Sequence, residues 1–256
     1  MKVVNRRKAM LEAVHSGITD VETLCERFDI SEATVRRDLT ALADDGHIVR
    51  TYGGAAAVVG KREPELSLLQ RQHERGDIKA HLASAALKHI EDGDTLLLDG
   101  GSTTTALAKL LGQRRGLHVF TNNLAAMPAL AAIEDCKVTF LGGDLRAASM
   151  TTYGVMAQAA LERLSVNKLF MSADGVVADL GLCEASAEQA YLKEMMIRRA
   201  LHVVVLADSS KLGNARQQHW TPMLSHWTLI TDDQASDDRL EAFKRRRAVT
   251  LEVIRT

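Results

Sequence analysis

The feature that most constrains the fold is a series of short apolar segments between residues 95 and 254, each followed by a polar loop and usually by a helical pattern. Runs rich in Val, Leu, Ile, Phe and Thr are typical of buried strands. Strands that alternate with helices predict a parallel sheet, because parallel strands need a long crossover between them. The predicted strands are, in chain order, TLLLD, LHVFT, KVTFL, KLFMSA, HVVVLA, WTLIT and VTLEVI.

Polar loops follow the first six of these strands. In an open α/β sheet the carboxyl ends of parallel strands meet at one edge, and ligands bind in the crevice outside that edge. We therefore expect a pocket formed by several of these loops together. The loop residues are Gly100 to Thr104, Asn122 and Asn123, Gly142 to Asp144, Asp174 and Gly175, Asp208 to Lys211, and Asp232 and Asp233.

The loop DGGSTTT leads from the first predicted strand into a helix. The amides and hydroxyls of Ser102, Thr103 and Thr104 would bind a phosphate group at the start of that helix. An ordinary strand-to-helix turn, with Ser102 or Thr103 as the N-cap, has the same sequence. Lys211, in ADSSK at another strand end, favours the phosphate site because it would place a cation near the same anion.

Two charged residues near the predicted sheet edge are harder to assign. Glu184, in GLCEAS, precedes a predicted helix, where it would either accept hydrogen bonds from sugar hydroxyls or cap the helix amides. Lys193 lies within that helix and is expected on its flank, outside the site. Cys183 stands next to Glu184, but no base is assigned to it, so a nucleophilic role is not favoured.

The amino-terminal region has a different pattern, in which apolar residues recur at helical spacing. An opening helix ends at HSG, a second short helix begins after Asp20 as its N-cap, and Ser31 is available to cap a third. In the third helix, SEATVRRDLTALADDG, the side chains of Val35, Leu39 and Leu42 fall on one stripe. Helix, tight turn and helix in succession predict a helix-turn-helix module.

The opposite face of the third helix carries small residues and arginines. Small residues let a helix approach base edges, and arginine forks onto guanine or onto phosphate oxygens. After this helix, HIVRTYGGA predicts a short hairpin, or wing. A pair of arginines is also typical of a solvated helix face, but the helix-turn-helix context favours DNA contact. The candidate DNA contacts are Ser31, Ala33, Thr34, Arg36, Arg37, Thr40, and Arg50 and Tyr52 in the wing.

Net charge limits the expected affinity for DNA. Residues 1–57 contain 8 Lys or Arg against 9 Asp or Glu, and the whole chain has a formal net charge of -1. The basic residues gather on the amino-terminal arm, the third helix and the wing. We therefore expect modest affinity for each module, so that two or more copies in a homo-oligomer, a dimer or a tetramer, bind together.

The segment SEATVRRDLTALADDGHIVRTYGGA resembles the helix-turn-helix and wing of the DeoR family of bacterial transcriptional regulators. The family pattern of Thr, apolar, Arg, basic, Asp and apolar residues is matched by residues 34–39. The resemblance implies that Thr34, Arg36 and Arg37 contact operator DNA. Asp38 is expected to brace an arginine or the helix packing, because a carboxylate beside phosphate groups is repelled.

The rest of the chain resembles the same family, since LLLDGGSTT, FTNN, LGGDLR, SADGV and LADSSK occur in the family's order. The resemblance implies a larger open α/β domain, similar in fold to ribose 5-phosphate isomerase and to CoA transferases. It also implies a bound phosphorylated sugar or related metabolite. With the loop residues above, the candidate effector contacts are Asp99, Gly100, Gly101, Ser102, Thr103, Thr104, Asn122, Gly142, Gly143, Asp174, Glu184 and Lys211.

The expected organisation is a winged helix-turn-helix domain (1–57), a linker (58–75) and an α/β effector-sensing domain (76–256). The expected function is repression of a carbohydrate or sugar-acid catabolic operon, with release from operator DNA by a phosphorylated metabolite, and not catalysis. The alternative is a sugar-phosphate isomerase or a CoA-transferase-like enzyme with Glu184 or Asp174 as base or nucleophile. That alternative leaves the first 57 residues unexplained.

The remaining sequence patterns limit which cofactors and which cellular compartment we expect. Cys25, Cys136 and Cys183 are far apart and without CxxC spacing, so neither a disulfide framework nor a zinc site is expected. Histidine spacing predicts no metal, and without a GxGxxG after any strand no nicotinamide cofactor is expected. No apolar run approaches the roughly 18 residues of a membrane span, so we expect a cytoplasmic protein.

Overall fold

The computed structural model describes residues 2–15, 18, 20–50, 53–57 and 65–256. The described residues up to 57, here called the amino-terminal module, form helices followed by an antiparallel hairpin. Met10, Leu24 and Leu39, one from each helix, meet in its core with no exposed area. The elements are α1 (Val3–His15), α2 (Val21–Phe28), α3 (Glu32–Asp44), β1 (Ile48–Arg50) and β2 (Ala55–Ala57).

Local sequence signals explain where the helices of this module begin. Asp20 is the N-cap of α2, as predicted, and its Oδ1 accepts a hydrogen bond of 2.7 Å from the amide of Thr23. Ser31 occupies the N-cap position of α3, although its hydroxyl lies 3.0 Å from the hydroxyl of Thr34 rather than on a backbone amide. The predicted order of helix, helix, tight turn, helix and hairpin is confirmed.

Residues 65–256, here called the carboxyl-terminal module, form an α/β fold. Its elements are α4 (Leu68–His73), α5 (Gly76–Leu87), β3 (Thr95–Leu98), α6 (Ser102–Ala108), β4 (Leu117–Thr121), α7 (Met127–Ala131), β5 (Cys136–Phe140), β6 (Asp144–Arg146), β7 (Thr151–Tyr153), α8 (Val155–Glu162), β8 (Val166–Met171), β9 (Gly175–Val177), β10 (Gly181–Glu184), α9 (Ala187–Ile197), β11 (Ala200–Leu206), β12 (His219–Thr221), β13 (Trp227–Asp232), α10 (Asp237–Lys244) and β14 (Val249–Ile254).

All seven predicted strands belong to one parallel sheet of the described residues, in the order β14-β13-β11-β8-β3-β4-β5. The chain runs from β3 through β4 to β5 on one side, and then returns to β8 on the other side of β3. The loops after β3 and β8 therefore lead away from each other, which opens a crevice at the carboxyl edge. Smaller antiparallel units, β12-β10-β9 and β6-β7, lie outside this sheet.

Apolar side chains alternate between the two faces of the sheet, so each face has a core of its own. Leu97 packs with residues of α8, α9 and α10, such as Leu161, Met196 and Phe243. Its neighbours Leu96 and Leu98 pack with α5 and α6 on the opposite face. The sheet is thus covered by helices on both sides, which agrees with the nearly continuous apolar character of its strands.

The second half of the predicted linker is structured. Ser67 and Gln70 form a capping box at the start of α4. Leu68 is buried, and its amide donates a 2.8 Å hydrogen bond to the carbonyl of Ala148. The segment from Glu65 onward therefore packs on the rest of the carboxyl-terminal module.

Among the described residues, no helix combines the length and the apolar character that crossing a membrane requires.

Candidate functional site

The exposed face of α3 is the candidate DNA-reading surface. Val35 and Leu39 have no exposed area, whereas Arg36 and Arg37 on the other side of the helix are exposed. Nε of Arg36 donates a 2.7 Å hydrogen bond to Glu32, one turn earlier. Both arginines thus lie on the side of α3 opposite its aliphatic anchor, which is the geometry that a major groove can accept. Arg36 also lines a cavity with Asp179 and Arg245 of the carboxyl-terminal module.

The other predicted DNA contacts lie near this face or outside the described residues. Ser31, Ala33 and Thr40 are exposed and Thr34 is half-buried. Arg50 is half-buried on β1, with NH1 buried and without a hydrogen-bond partner among the described residues. Tyr52, predicted at the tip of the wing, falls outside the described residues. Contact of these side chains with DNA stays a prediction.

Asp38 braces the module, as predicted. Its carboxylate is buried and accepts hydrogen bonds from Nε of Arg6 at 2.6 Å and from Nε of Arg7 at 2.9 Å. Burial alone would raise the pKa of Asp38, but the hydrogen bonds and charges of the two arginines outweigh it and hold that pKa below its ordinary value. Asp38 thereby fastens the start of α1 to α3, and two of the basic residues of the amino-terminal arm are engaged within the module.

The crevice at the carboxyl edge of the sheet contains two adjoining cavities that share Arg71, Ser172 and Ala173. The first, here called the cationic cavity, is lined among others by Arg71, Arg75, Lys79, Ser102, Thr103 and Lys211. The second, here called the acidic cavity, is lined among others by Glu65, Asp99, Gly100, Gly101, Asp174, Glu184 and Lys193. Their walls include the loops after β3, β8 and β11, the end of β10, and the helices α4, α5 and α9.

The loop after β11 is fixed by two buried carboxylates. Asp208 accepts hydrogen bonds from Ser210 and, at 2.9 Å, from NH1 of Arg75. Burial would raise the pKa of Asp208, but the hydrogen bonds of Ser210 and the charge of Lys211 outweigh it and lower that pKa. Asp232, at the end of β13, accepts a 2.6 Å hydrogen bond from the amide of Ser209. These contacts hold Lys211 at the wall of the cationic cavity.

Gly100 and Gly101 allow the loop after β3 to pack closely on two other segments, which are the β6-β7 hairpin beside Gly100 and the start of the loop after β8 beside Gly101. A Cβ at Gly100 would lie 1.9 Å from Cγ2 of Thr151. Gly101 has a φ of 141° as the residue before α6, and a Cβ there would lie 2.0 Å from Oγ of Ser172. Side chains at either position would force these segments apart, so the shape of the acidic cavity depends on both glycines.

Lys193 lies at the centre of the acidic cavity, and the expected position on the helix flank is wrong. It is 4% exposed, and its Nζ donates to Asp99 at 2.5 Å and to the carbonyl of Ser172, and pairs with Glu184 at 3.0 Å. The reason is that α9 packs one face on the sheet, and Lys193 shares that face with buried Ala190 and Ile197. This spacing is the sequence signal that would have placed it inward.

Glu184 is buried beside Lys193. Burial, together with the nearby charges of Asp174 and Asp99, raises the pKa of Glu184 to about 8, although the charge of Lys193 opposes this. The residue does not cap α9, because Ser186 is the N-cap and its hydroxyl accepts from the amide of Gln189. Glu184 at neutral pH is thus a protonated carboxyl group at the cavity wall, able to donate as well as accept a hydrogen bond.

Four predicted effector contacts do not line either cavity. Thr104 is buried, and its hydroxyl donates to the carbonyl of Gly101. Asn122 is buried and its Nδ2 donates to the carbonyl of Thr152 at 3.1 Å. Gly142 and Gly143 form the turn into β6, on the far side of β3 from the crevice. The geometry gives these residues roles in supporting the fold, and contact with an effector stays a prediction.

Basic residues of the predicted linker and of the helix after it also line the crevice, although the sequence did not predict them there. NH1 of Arg71 lies 3.3 Å from Oδ1 of Asp174. NH1 of Arg75 bonds to Asp208 and to Ser209. Burial lowers the pKa of Lys79, whose ammonium group donates to main-chain carbonyls of the same segment. A polar segment with a proline reads as a linker, but these basic residues recur at every fourth position, which was the available signal.

Family models match both modules of the chain. A model described as the DeoR-like helix-turn-helix domain matches residues 6–59, and one described as the DeoR C terminal sensor domain matches residues 74–233.

The described residues hold no group of three or more His, Cys, Asp or Glu side chains arranged to bind a metal ion.

Curated proteins are similar over almost the whole chain. The HTH-type transcriptional regulator YulB of Bacillus subtilis is 34% identical over 246 residues, which is 94% of each chain. The lactose phosphotransferase system repressor of Streptococcus mutans is 30% identical, over 95% of this chain and 93% of that protein. The glycerol-3-phosphate regulon repressor of Escherichia coli is 31% identical, over 83% of this chain and 84% of that protein.

A solved structure of ribose 5-phosphate isomerase A from Methanocaldococcus jannaschii aligns with 54% of this chain and 55% of its own, at 20% identity and a TM-score of 0.39. A likeness of this extent does not bear on function.

Proposed function

The chain belongs to the DeoR family of transcriptional regulators, and on that premise we propose that it is a repressor that binds operator DNA and is released by a phosphorylated sugar. The operator would control genes of carbohydrate or sugar-acid catabolism. The proposed site of action is the cytoplasm, where operator DNA lies. The observation that carries the DNA-binding part is the orientation of α3, with Arg36 and Arg37 exposed and Val35 and Leu39 buried.

DNA binding is tested by fluorescence anisotropy with duplexes from the region upstream of the gene. If Arg37 reads a base, Arg37→Ala weakens operator binding by about 1–3 kcal/mol. Arg198→Ala is the matched control, because Arg198 is an exposed arginine at the C-cap of α9, in the carboxyl-terminal module, and it pairs locally with Glu194. Equal operator affinity for Arg37→Ala and the unaltered protein would remove the base-reading role.

The effector part of the proposal is supported by the cationic cavity. Ser102 and Thr103 face basic residues across this cavity, including Lys211. Hydroxyl donors and cations that converge on one cavity are suited to a phosphate group. Two relatives are described as repressors of a lactose phosphotransferase system and of a glycerol-3-phosphate regulon, which fits a phosphorylated effector.

The combined variant Ser102→Ala/Lys211→Ala should lose the response to effector while it keeps its operator affinity. The measurement is release of labelled operator during titration with phosphorylated sugars. If the double variant still releases DNA at the same sugar concentration as the unaltered protein, the cationic cavity is not the effector site.

Coupling between the two sites requires that the effector favour one arrangement of paired DNA-binding modules. An effector with equal affinity for the DNA-bound and released arrangements would shift nothing. Two modules in one assembly would also compensate for modest affinity of each, because the second module binds at a high effective concentration. We therefore propose a homo-oligomer as the active form.

One observation favours a second candidate function. Glu184, with a pKa raised to about 8, is a carboxyl group of the kind that carries protons in general acid–base catalysis. A sugar-phosphate isomerase would use it to move a proton between neighbouring carbon atoms. Turnover of phosphorylated pentoses or hexoses by the purified protein, if it is lost in Glu184→Gln, would establish this activity. If the protein shows no turnover but releases operator DNA when a phosphorylated sugar is added, regulation remains as the function.

A further inference from the structure

Arg71 lies where the cationic and acidic cavities meet. It belongs to α4, at the start of the carboxyl-terminal module and within the predicted linker (58–75), which is here called the connecting segment. Its NH1 is 3.3 Å from Oδ1 of Asp174, and its NH2 is 3.4 Å from Oε1 of Glu65, outside hydrogen-bond geometry. Only 16% of its side chain is exposed. The connecting segment thus places a guanidinium group inside the crevice.

One edge of this guanidinium group forms no hydrogen bond within the described residues, although its NH2 is ion-paired with Glu65 at 3.4 Å. Nε and NH2 of Arg71 are shielded from solvent and have no hydrogen-bond partner among the described residues. A buried donor without a partner is unfavourable, because it has lost its hydrogen bonds to water. Arg75, one turn further along, differs: its NH1 bonds to Asp208 and Ser209, and its NH2 bonds to Gln234. The open edge of Arg71 is therefore a particular feature of this position and not a general property of the basic segment.

The surroundings restrict what this edge can bind. Asp99, Asp174 and Glu184 line the acidic cavity, where Lys193 is already paired with two of them. A second anionic group here would be repelled by the carboxylates of Glu65, Asp99 and Asp174, whereas Glu184, with its pKa raised to about 8, is largely protonated at neutral pH. Hydroxyl groups fit, because each one donates to a carboxylate and accepts from a guanidinium N–H.

We propose that Arg71 contacts the effector directly: Nε–H and NH2 donate to two oxygen atoms on the hydroxylated carbon chain of a sugar phosphate that carries no charge besides its phosphate. This inference rests on the proposed function, and it adds a contact residue and the charge class of the effector. Because Arg71 belongs to the connecting segment, the effector would bind to that segment as well as to the sheet loops. Occupancy of the site would then fix the position of α4, from which the chain runs to the amino-terminal module.

The test compares unaltered protein with Arg71→Lys, which keeps the positive charge and loses the two-donor edge. The probes for isothermal titration calorimetry are inorganic phosphate, phosphorylated trioses to hexoses, and the phosphorylated acids that correspond to those sugars. In the unaltered protein the tightest ligand should be a sugar phosphate and not a phosphorylated acid. Arg71→Lys should lower the affinity for that ligand about tenfold or more, as expected for a loss of about 1.4 kcal/mol of binding free energy. The same variant should change the affinity for inorganic phosphate less than about twofold.

Controls separate binding from folding. Arg198→Lys, which alters an exposed arginine at the C-cap of α9, should bind every probe as the unaltered protein does. Thermal unfolding of Arg71→Lys should match that of the unaltered protein; if it does not, Arg71→Gln, which keeps one donor group without the charge, takes its place.

Each outcome has a separate meaning. Unchanged affinity of the best sugar phosphate for Arg71→Lys overturns this inference and leaves the proposed function intact, and so does tighter binding of a phosphorylated acid than of its sugar. If no phosphorylated compound binds the unaltered protein or releases operator DNA, the proposed function itself fails.

Discussion

Replacement of Lys193 by methionine should lower the free energy of unfolding of the carboxyl-terminal module by about 3–5 kcal/mol, the range for a buried ion pair that loses one partner. Nζ of Lys193 lies 2.5 Å from Asp99 and 3.0 Å from Glu184, and the side chains of all three are at most 6% exposed. Burial would lower the pKa of Lys193, but the charges of the two carboxyl groups outweigh it and raise that pKa. The ammonium group therefore stays charged in the fold.

The charge of Asp99 accounts for most of this effect. Because burial raises the pKa of Glu184 to about 8, Glu184 is largely protonated at neutral pH and Lys193 chiefly balances Asp99. Methionine fills a similar volume without charge, so the contribution of a cavity is small. Without Lys193, Asp99 would remain as a buried charge with no cation beside it. The double variant Lys193→Met/Asp99→Asn removes both charges and should recover most of the loss.

Urea unfolding followed by tryptophan fluorescence measures this effect, since both tryptophans of the chain, Trp220 and Trp227, lie in the carboxyl-terminal module. Arg198→Met, at the C-cap of the same helix, is the control. The exposed ion pair of Arg198 with Glu194 should contribute about 0.5 kcal/mol or less to the free energy of unfolding. The reasoning is refuted if Lys193→Met changes the free energy of unfolding by less than about 1 kcal/mol, or if the added Asp99→Asn change restores nothing.

Two other outcomes follow from buried carboxyl groups. Asp38→Asn should lower the free energy that holds α1 against α3 by about 1–3 kcal/mol, because the hydrogen bonds to Arg6 and Arg7 weaken. Amide hydrogen exchange in residues 3–15 should therefore accelerate. Unchanged protection of these amides would show that other contacts hold α1. Glu184 retains its proton in the fold up to about pH 8, whereas its ordinary pKa is 4.5. The stability that it contributes is therefore fully present below that ordinary pKa and is lost as the pH rises through about 8. Urea titrations across this range should show the decline for the unaltered protein and a flatter profile for Glu184→Gln; equal slopes would contradict the assignment.

The strands and helices were predictable because the signals for them are local. Alternation of apolar segments with polar loops is set by neighbouring residues, and each of the seven predicted segments forms a strand of the sheet. The two faces of α3 follow in the same way from a period of 3.6 residues. The bracing role of Asp38 was predictable because a carboxylate is repelled by DNA phosphates, and the structure pairs it with Arg6 and Arg7.

The composition of the crevice was only partly predictable. Ser102, Thr103, Asp174 and Lys211 line it as expected, because their loops follow strands at the centre of the sheet. Asn122, Gly142 and Gly143 follow β4 and β5, which the strand order places on the far side of β3. Nothing in a strand's own sequence states which strands become its neighbours, so the sequence alone does not distinguish the strand ends that line the crevice from those that do not.

By itself, the sequence determined the parallel α/β architecture, the helix-turn-helix with its outward arginines, and the sheet edge at which a ligand would bind. Only the tertiary structure decided that Lys193 is buried against Asp99 and Glu184 and that Arg71 enters the crevice from the connecting segment. The physical reason is the range of the interactions. Helical and strand periods are fixed within a few residues, whereas a buried charge is stable only beside partners that folding brings from distant parts of the chain.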